Sequence, residues 1–388
     1  MVNMDSVTEV TSQGLGSRLM ASIKGVFTGF ILVAAAIGLL WWNEGRTVHT
    51  AKGLEEAGGN VISLSSETVD PANEGKLIHV TGNADTGEIL EDPLFGIKEK
   101  AVHLKRSVEM YQWKENVETN TEKKVGGSEE TKKTYSYSKD WSSSRIDSSS
   151  FKKPEGHENP SMPYSNSSQS ASNVSLGAFK LSPELISMYD ERETLELKSI
   201  KLKTEIQSRS KIEGNTVFIS RTGGTDSSSP EVGDMKIGFS ITRPGPASVI
   251  GVQSGNSFSA YKTEKDTTVL LLETGIQNAE TMIQSAQSSN AVMGWILRGA
   301  GLLIMTIGFS LIFKPISTLG DVIPFIGSAM DFGFGIIAFI ISFVISMIVI
   351  AIAWIFYRPL LGIGLLAVAA SGIAAIIFMK KKKSEAPA

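Results

Sequence analysis

The sequence predicts an α+β protein: four transmembrane α-helices plus a large β-rich extracytoplasmic domain inserted between the first and second helices. Three observations predict it. Four long apolar runs occur, one near the N-terminus and three crowded toward the C-terminus. The polar middle carries short β-rich runs with an apolar/polar period of two. No regular strand–helix alternation interrupts them, which favours an antiparallel α+β domain over a parallel sheet.

Taken in order, residues 1–24 form a polar tail with Arg18 and Lys24 before the first run. Residues 25–42 are apolar for about the length that crosses a 30 Å hydrocarbon core. No small-residue cleavage site follows, so this segment reads as a signal anchor and not a removed leader. Trp41 and Trp42 fall where an aromatic belt belongs, at the exit interface. Gly25 and Gly29 stand four apart within the span, a spacing that lets helices pack closely, within the chain or between chains.

Residues 43–290 are assigned to the extracytoplasmic domain. Leu77–Gly82 is a short strand ended by glycine. From Ala101 to Trp113, Val102, Leu104, Val108 and Met110 share one face. Gly126-Gly127-Ser128 offers a turn, after which Tyr135, Tyr137 and Trp141 recur at a period of two, so a long hairpin with an aromatic return strand is expected. Residues 142–175 are serine-rich and read either as a disordered insert or, given the apolar anchors Phe151, Met162 and Tyr164, as an ordered irregular loop. Ser182-Pro183-Glu184 starts a helix. Further strands are expected at Asn215–Ser220, Lys236–Thr242, Ala247–Val252 and Thr267–Glu273, then a helix over Asn278–Asn290 leading into the second span.

The second span covers residues 291–313, and Arg298 in its first turns is expected to snorkel to the interface. Lys314-Pro315 closes it. Residues 314–331 are expected to form a cytoplasmic-side interfacial or re-entrant segment whose acids, Asp321 and Asp331, are solvated or line a pathway. The third span (332–357) and the fourth (358–379) are joined through Tyr357-Arg358-Pro359, a tight hairpin with Arg358 anchoring the tip. The basic residues before the first span, after the second and in the tail 380–388 then share the cytoplasmic face.

Composition excludes several functions. The net charge is -3, with no electrostatic case for nucleic acid. There is no cysteine, and the four histidines show no metal-ligand spacing, so no cofactor or metal is expected. No nucleophile elbow, Walker loop, dinucleotide fingerprint or zinc-protease motif occurs. Asp85, Glu88, Glu91 and Asp92 read as a solvated turn, and His157 beside Glu158 is a weak hydrolase signal.

Six blocks carry a resemblance: Trp42-Asn43-Glu44-Gly45-Arg46, Val108 to Trp113, Gly156 to Pro160, Trp295 to Arg298, Asp321 to Phe325, and Trp354 to Leu360. In them the chain resembles the LUMA family, four-span membrane proteins of animals with bacterial members, over nearly its whole length. The resemblance implies a multi-pass organiser of membrane complexes. Its seat would be the endoplasmic reticulum or inner nuclear membrane in a eukaryote, or the inner membrane in a bacterium, and it brings no catalytic residues. The expected function is a non-enzymatic scaffold that self-associates into homo-oligomers and binds membrane proteins and membrane lipids. Gly25, Gly29, Trp42, Arg298, Asp321, Asp331 and Arg358 are its candidate interface or assembly positions. A channel subunit is the second reading and a membrane-associated hydrolase a distant third.

Overall fold

The computed structural model describes residues 6–197, 202, 204–223 and 227–359. The chain forms two compact units. The first takes in Glu55–Asn120 and Lys132–Gln284 with the N-terminal residues through Val10; the second takes in Thr11–Leu54, Thr121–Thr131 and residues from Ser285 on.

In the first unit, alternation produces two large sheets, beside two small two-stranded ones among the described residues. One has eight strands; its main path runs β1 (Ser6–Gln13), β4 (Glu129–Ser142), β3 (His103–Lys123), β7 (Met235–Thr242), β6 (Thr216–Ile219) and β5 (Ser210–Glu213), and β1 and the β3–β4 turn carry its edge into the second unit. The β3–β7 register sets Leu104 opposite Ile241, Val108 opposite Ile237 and Met110 opposite Met235. These buried side chains make a core with Val217, Phe239 and Phe95. The seven-stranded sheet centres on β8 (Gly245–Ser254), paired antiparallel with β2 (Leu77–Asp85) and with β9 (Leu271–Thr274). Ile78, Val80, Val249 and Phe179 form its core. The Ser182 hydroxyl accepts the Leu185 N–H and caps the short helix Pro183–Met188.

The acidic residues expected as a solvated turn are separately engaged. Asp92 is buried and pairs with buried Arg106 at 2.5 Å, and Asp85 meets Lys100 at 2.7 Å. Glu88 accepts from the Ser172 and Asn173 backbone, which holds its carboxyl down at about 2. The aromatic return strand serves packing: Trp141 meets Tyr111 and Phe218, and Tyr137 stacks on His157 with centroids 3.9 Å apart.

In the second unit, apolar length dictates helices. Three are long and apolar enough to cross a membrane: α1 (Leu15–Asn60), α2 (Ala279–Gly320) and α3 (Pro324–Tyr357). The expectation of four transmembrane helices is therefore corrected to three among the described residues. The fourth expected span, 358–379, lies outside them from residue 360 on. α1 and α2 also run well past their apolar stretches, because neither Asn43–Asn60 nor Asn278–Asn290 holds a proline to stop them.

The 314–331 segment is a second departure. α2 continues through Pro315 to Gly320, α3 starts at Pro324, and a short turn replaces the interfacial helix. Pro315 has no N–H to offer the Leu311 carbonyl; one turn along, the hydroxyls of Ser317 and Thr318 both donate to the Lys314 carbonyl.

Candidate functional site

Charged and amide side chains gather in two belts at opposite ends of the helix triplet. At a rise of 1.5 Å per residue, the intervals Arg18–Glu44, Arg298–Lys314 and Asp331–Trp354 measure roughly 39, 24 and 34 Å. Those lengths bracket a hydrocarbon core of about 30 Å. Between the belts the helices pack through Ala36, Leu40 and Met305.

The first belt ties all three helices to one carboxylate. Glu44 of α1 is fully buried and accepts from Arg298 Nε at 2.6 Å and Nη2 at 2.8 Å, a two-pronged pair. The Trp354 indole N–H of α3 donates to the same carboxylate at 2.8 Å. The Arg298 guanidinium also lies 4.6 Å from the Trp295 ring centre. Asn43 donates to the Gly294 carbonyl, Arg46 donates to Asn290 Oδ1, and Asn290 donates to the Thr47 carbonyl. Gly45 lies against the Tyr357 ring, where a Cβ would come within 2.8 Å. The blocks beginning at Trp42, Trp295 and Trp354, far apart in sequence, thus converge here. Arg298 is an ion-pair partner and not the free snorkelling cation expected of it.

The second belt is an ion network. Arg18 Nη2 lies 2.5 Å from Asp321 Oδ2 and 2.8 Å from Glu129. Lys123 Nζ lies 2.7 Å from Asp321 and 2.5 Å from Asp331, and Lys314 reaches Asp331 at 2.9 Å. Burial pulls the Lys123 ammonium pKa down, but the two carboxylates outweigh it and the net shift is upward. Asp321 is fully buried, so a lone charge there would be very costly; pairing makes it tolerable. Gly126 and Gly127 form the β3–β4 turn with positive φ, and Arg18 donates to the Gly127 carbonyl at 2.7 Å. The acids that motivated the conduction reading are thus both engaged by cations.

Chain order gives this belt a further meaning. Lys123 and Glu129 lie between α1 and α2 in sequence, on the stretch expected to face away from Arg18 and Asp321 across the bilayer. The ion pairs bring them together. Single crossings by α1 and α2 and a docked β3–β4 turn cannot both hold unless the polar hairpin itself passes the bilayer.

The remaining expected positions are placed as follows. Gly29 is the close-approach glycine: a Cβ there would fall 2.6 Å from the Gly308 carbonyl of α2. Gly25 has more room, its nearest neighbour being Leu311 at 3.8 Å. Gly29 therefore serves close packing of α1 on α2, which Gly25 does not require. Trp42 is exposed, as a headgroup-level aromatic would be, and the Arg358 N–H closes the end of α3 on the Trp354 carbonyl. His157, the hydrolase candidate, is 1% exposed between Tyr137 and Trp113, which withdraws it from any substrate in solution.

The sequence-level clue to the first belt lay in the order of charges. Glu44 leaves the first span and Arg298 enters the second, so an antiparallel pair of spans puts opposite charges at one depth. Asn43, Arg46 and Asn290 carried no comparable signal.

Comparison with known proteins places the chain in a family. Residues 110–359 match the sequence pattern of the family described as transmembrane protein 43, for which LUMA is another name. Transmembrane protein 43 of Rattus norvegicus is 34% identical over 372 residues, covering 91% of this chain and 90% of the rat protein. The Homo sapiens protein is 34% identical over 364 residues, covering 89% of this chain and 88% of its own length. The Drosophila melanogaster homologue is 31% identical over 357 residues, with coverage of 88% and 91%. These relatives are animal proteins and lend no support to a bacterial assignment. No solved structure matches the chain. With the family pattern and nearly full-length relatives in agreement, the chain belongs to the transmembrane protein 43 family.

Proposed function

We propose that the chain is a non-enzymatic membrane organiser, a platform that self-associates and gathers membrane proteins or lipid around it. One observation carries this reading: the second unit pairs its buried charges, Arg18, Glu44 and Asp321, with its own residues while its helices leave broad apolar faces uncovered among the described residues. Phe27, Phe30 and Ile31 of α1 and Phe332, Phe339 and Phe343 of α3 are all exposed. A surface of that kind belongs against acyl chains or another helix. The internal belts keep it rigid, so a partner meets a preformed face and little ordering is lost on binding.

The test is the mass of the full chain in neutral-lipid nanodiscs, measured by native mass spectrometry or light scattering. A discrete oligomer, or a stoichiometric co-purifying membrane protein, is the expected result. A monomer with no companion across a range of lipids overturns the reading.

A further inference from the structure

Arginine usage in the first unit is uneven. Arg106, Arg192 and Arg243 each pair with a carboxylate. The guanidinium groups of Arg145, Arg209 and Arg221 have no carboxylate partner among the described residues, although the Arg221 backbone N–H donates to Asp234 Oδ1 at 2.8 Å. Arg145 Nε donates to the Pro160 carbonyl at 3.2 Å, and Arg209 Nη2 donates to the Tyr164 hydroxyl at 3.3 Å.

The three lie around one stretch of chain. Arg209 and Arg221 line the same cavity of about 230 Å³, together with Ser161, Tyr164 and Ser220. Pro160, the last residue of one of the six family blocks, forms part of its wall, and the Ile219 and Met235 side chains add apolar surface. Strand pairing holds the floor, since Ile219 and Met235 face each other across β6 and β7. Two arginines and three hydroxyl-bearing residues therefore line the cavity above an apolar floor; the Tyr164 and Ser220 hydroxyls already accept from Arg209 and from the Gly223 N–H, which leaves their own protons free to donate.

We propose that this cavity binds a phosphate monoester, with Arg209 and Arg221 as its charge partners. The planar guanidinium fork matches phosphate oxygens in pairs, and arginine keeps its charge at any working pH. The hydroxyls donate to the remaining oxygens, and the small volume limits the group to a phosphate with a short organic stem. Such a group is carried by a soluble ester or by the head of phosphatidic acid. This site is independent of the assembly reading, because every residue in it lies in the first unit.

The test uses the full chain in neutral-lipid nanodiscs. Calorimetric titration with glycerol 3-phosphate probes the soluble source, and co-sedimentation with vesicles containing phosphatidic acid probes the lipid source. Saturable binding to either is expected, weakened at least tenfold by Arg209→Gln/Arg221→Gln and only partly by Arg209→Lys/Arg221→Lys. Ser161→Trp, which narrows the cavity without removing charge, should weaken binding too. Binding of the ester alone identifies a soluble ligand; binding of vesicles alone identifies the lipid. No saturable binding to either probe, or binding that the double glutamine variant leaves unchanged while its melting curve matches the parent, overturns the proposal.

Discussion

Glu44→Ala is the sharpest perturbation of the helix triplet. It strips the carboxylate from Arg298, whose side chain is only 14% exposed, and strands the Trp354 indole N–H. Deleting one partner of a buried ion pair costs about 3–5 kcal/mol, and an orphaned buried donor costs about 1–3 kcal/mol. Two features pull the total down. Arg298 keeps its contact with Trp295, and interhelical hydrogen bonds in membranes average only about 0.6 kcal/mol, reaching about 1.7. The expected loss is therefore about 3 kcal/mol, toward the lower end. Unfolding of the full chain in mild detergent, followed by tryptophan fluorescence against added SDS, measures it. A double-mutant cycle with Arg298→Met separates pairing from stranded charge: the double variant should be more stable than Glu44→Ala alone. A coupling energy above about 1.7 kcal/mol distinguishes this pair from an ordinary interhelical hydrogen bond. Loss below about 1 kcal/mol, or strict additivity, would refute the claim that this belt holds the three helices together.

Other expectations follow from the same structure. Gly29→Leu should disrupt the α1–α2 contact and sharply lower the midpoint of thermal aggregation, whereas Gly25→Ala, with 3.8 Å to its nearest neighbour, should leave it within error. Burial depresses the His79 imidazole pKa although the Gln277 carbonyl counters it, so the unfolded chain takes up that proton first. Stability should be level above the ordinary value of about 6.5 and fall as pH drops below it, and His79→Gln should flatten that slope in pH-dependent denaturation. Glu88 has the opposite origin but a related sign: its carboxyl is held at about 2, so its contribution is complete above the ordinary 4.5 and is lost as pH falls toward 2. Glu88→Gln should therefore matter at pH 7 and vanish below pH 2 when chemical denaturation is compared at the two values. Lys123→Cys with Asp331→Cys should cross-link in native membranes if the β3–β4 turn docks there. Failure to cross-link, with Lys123→Cys labelled only from the face opposite Arg18, would place the turn across the bilayer.

Much of the fold was legible because two periodicities are local. The alternation of Leu104, Val108 and Met110 gave a strand, and the Gly126-Gly127 turn gave its hairpin. Ser182-Pro183-Glu184 gave a helix start that the Ser182 hydroxyl does cap. Less legible was where helices stop. Pro315 reads as a terminator, yet α2 runs on to Gly320, because a proline removes one helical donor without forcing the helix to end. Length and hydropathy identified three of the four expected spans among the described residues but could not say that Asn43–Asn60 continues the first as one rod.

The candidate site was harder, because each charge in it has a plausible bland reading when taken singly. Arg298 beside tryptophan suggests snorkelling, and Asp321 in a glycine-rich link suggests solvent. What changes both readings is partnership across hundreds of residues: Glu44 to Arg298, and Arg18 to Asp321. Neither pair has a local signal, but a depth argument finds both. Charges that flank spans on the same membrane face, with opposite sign, are candidates to pair once the spans pack antiparallel. Lys123 escapes that argument, because its place in the sequence assigns it to the other face. It is therefore the residue whose position most constrains the topology: if its ion pair with Asp321 persists in a bilayer, the tip of the polar β3–β4 hairpin must share that face with the start of α1 and the end of α2.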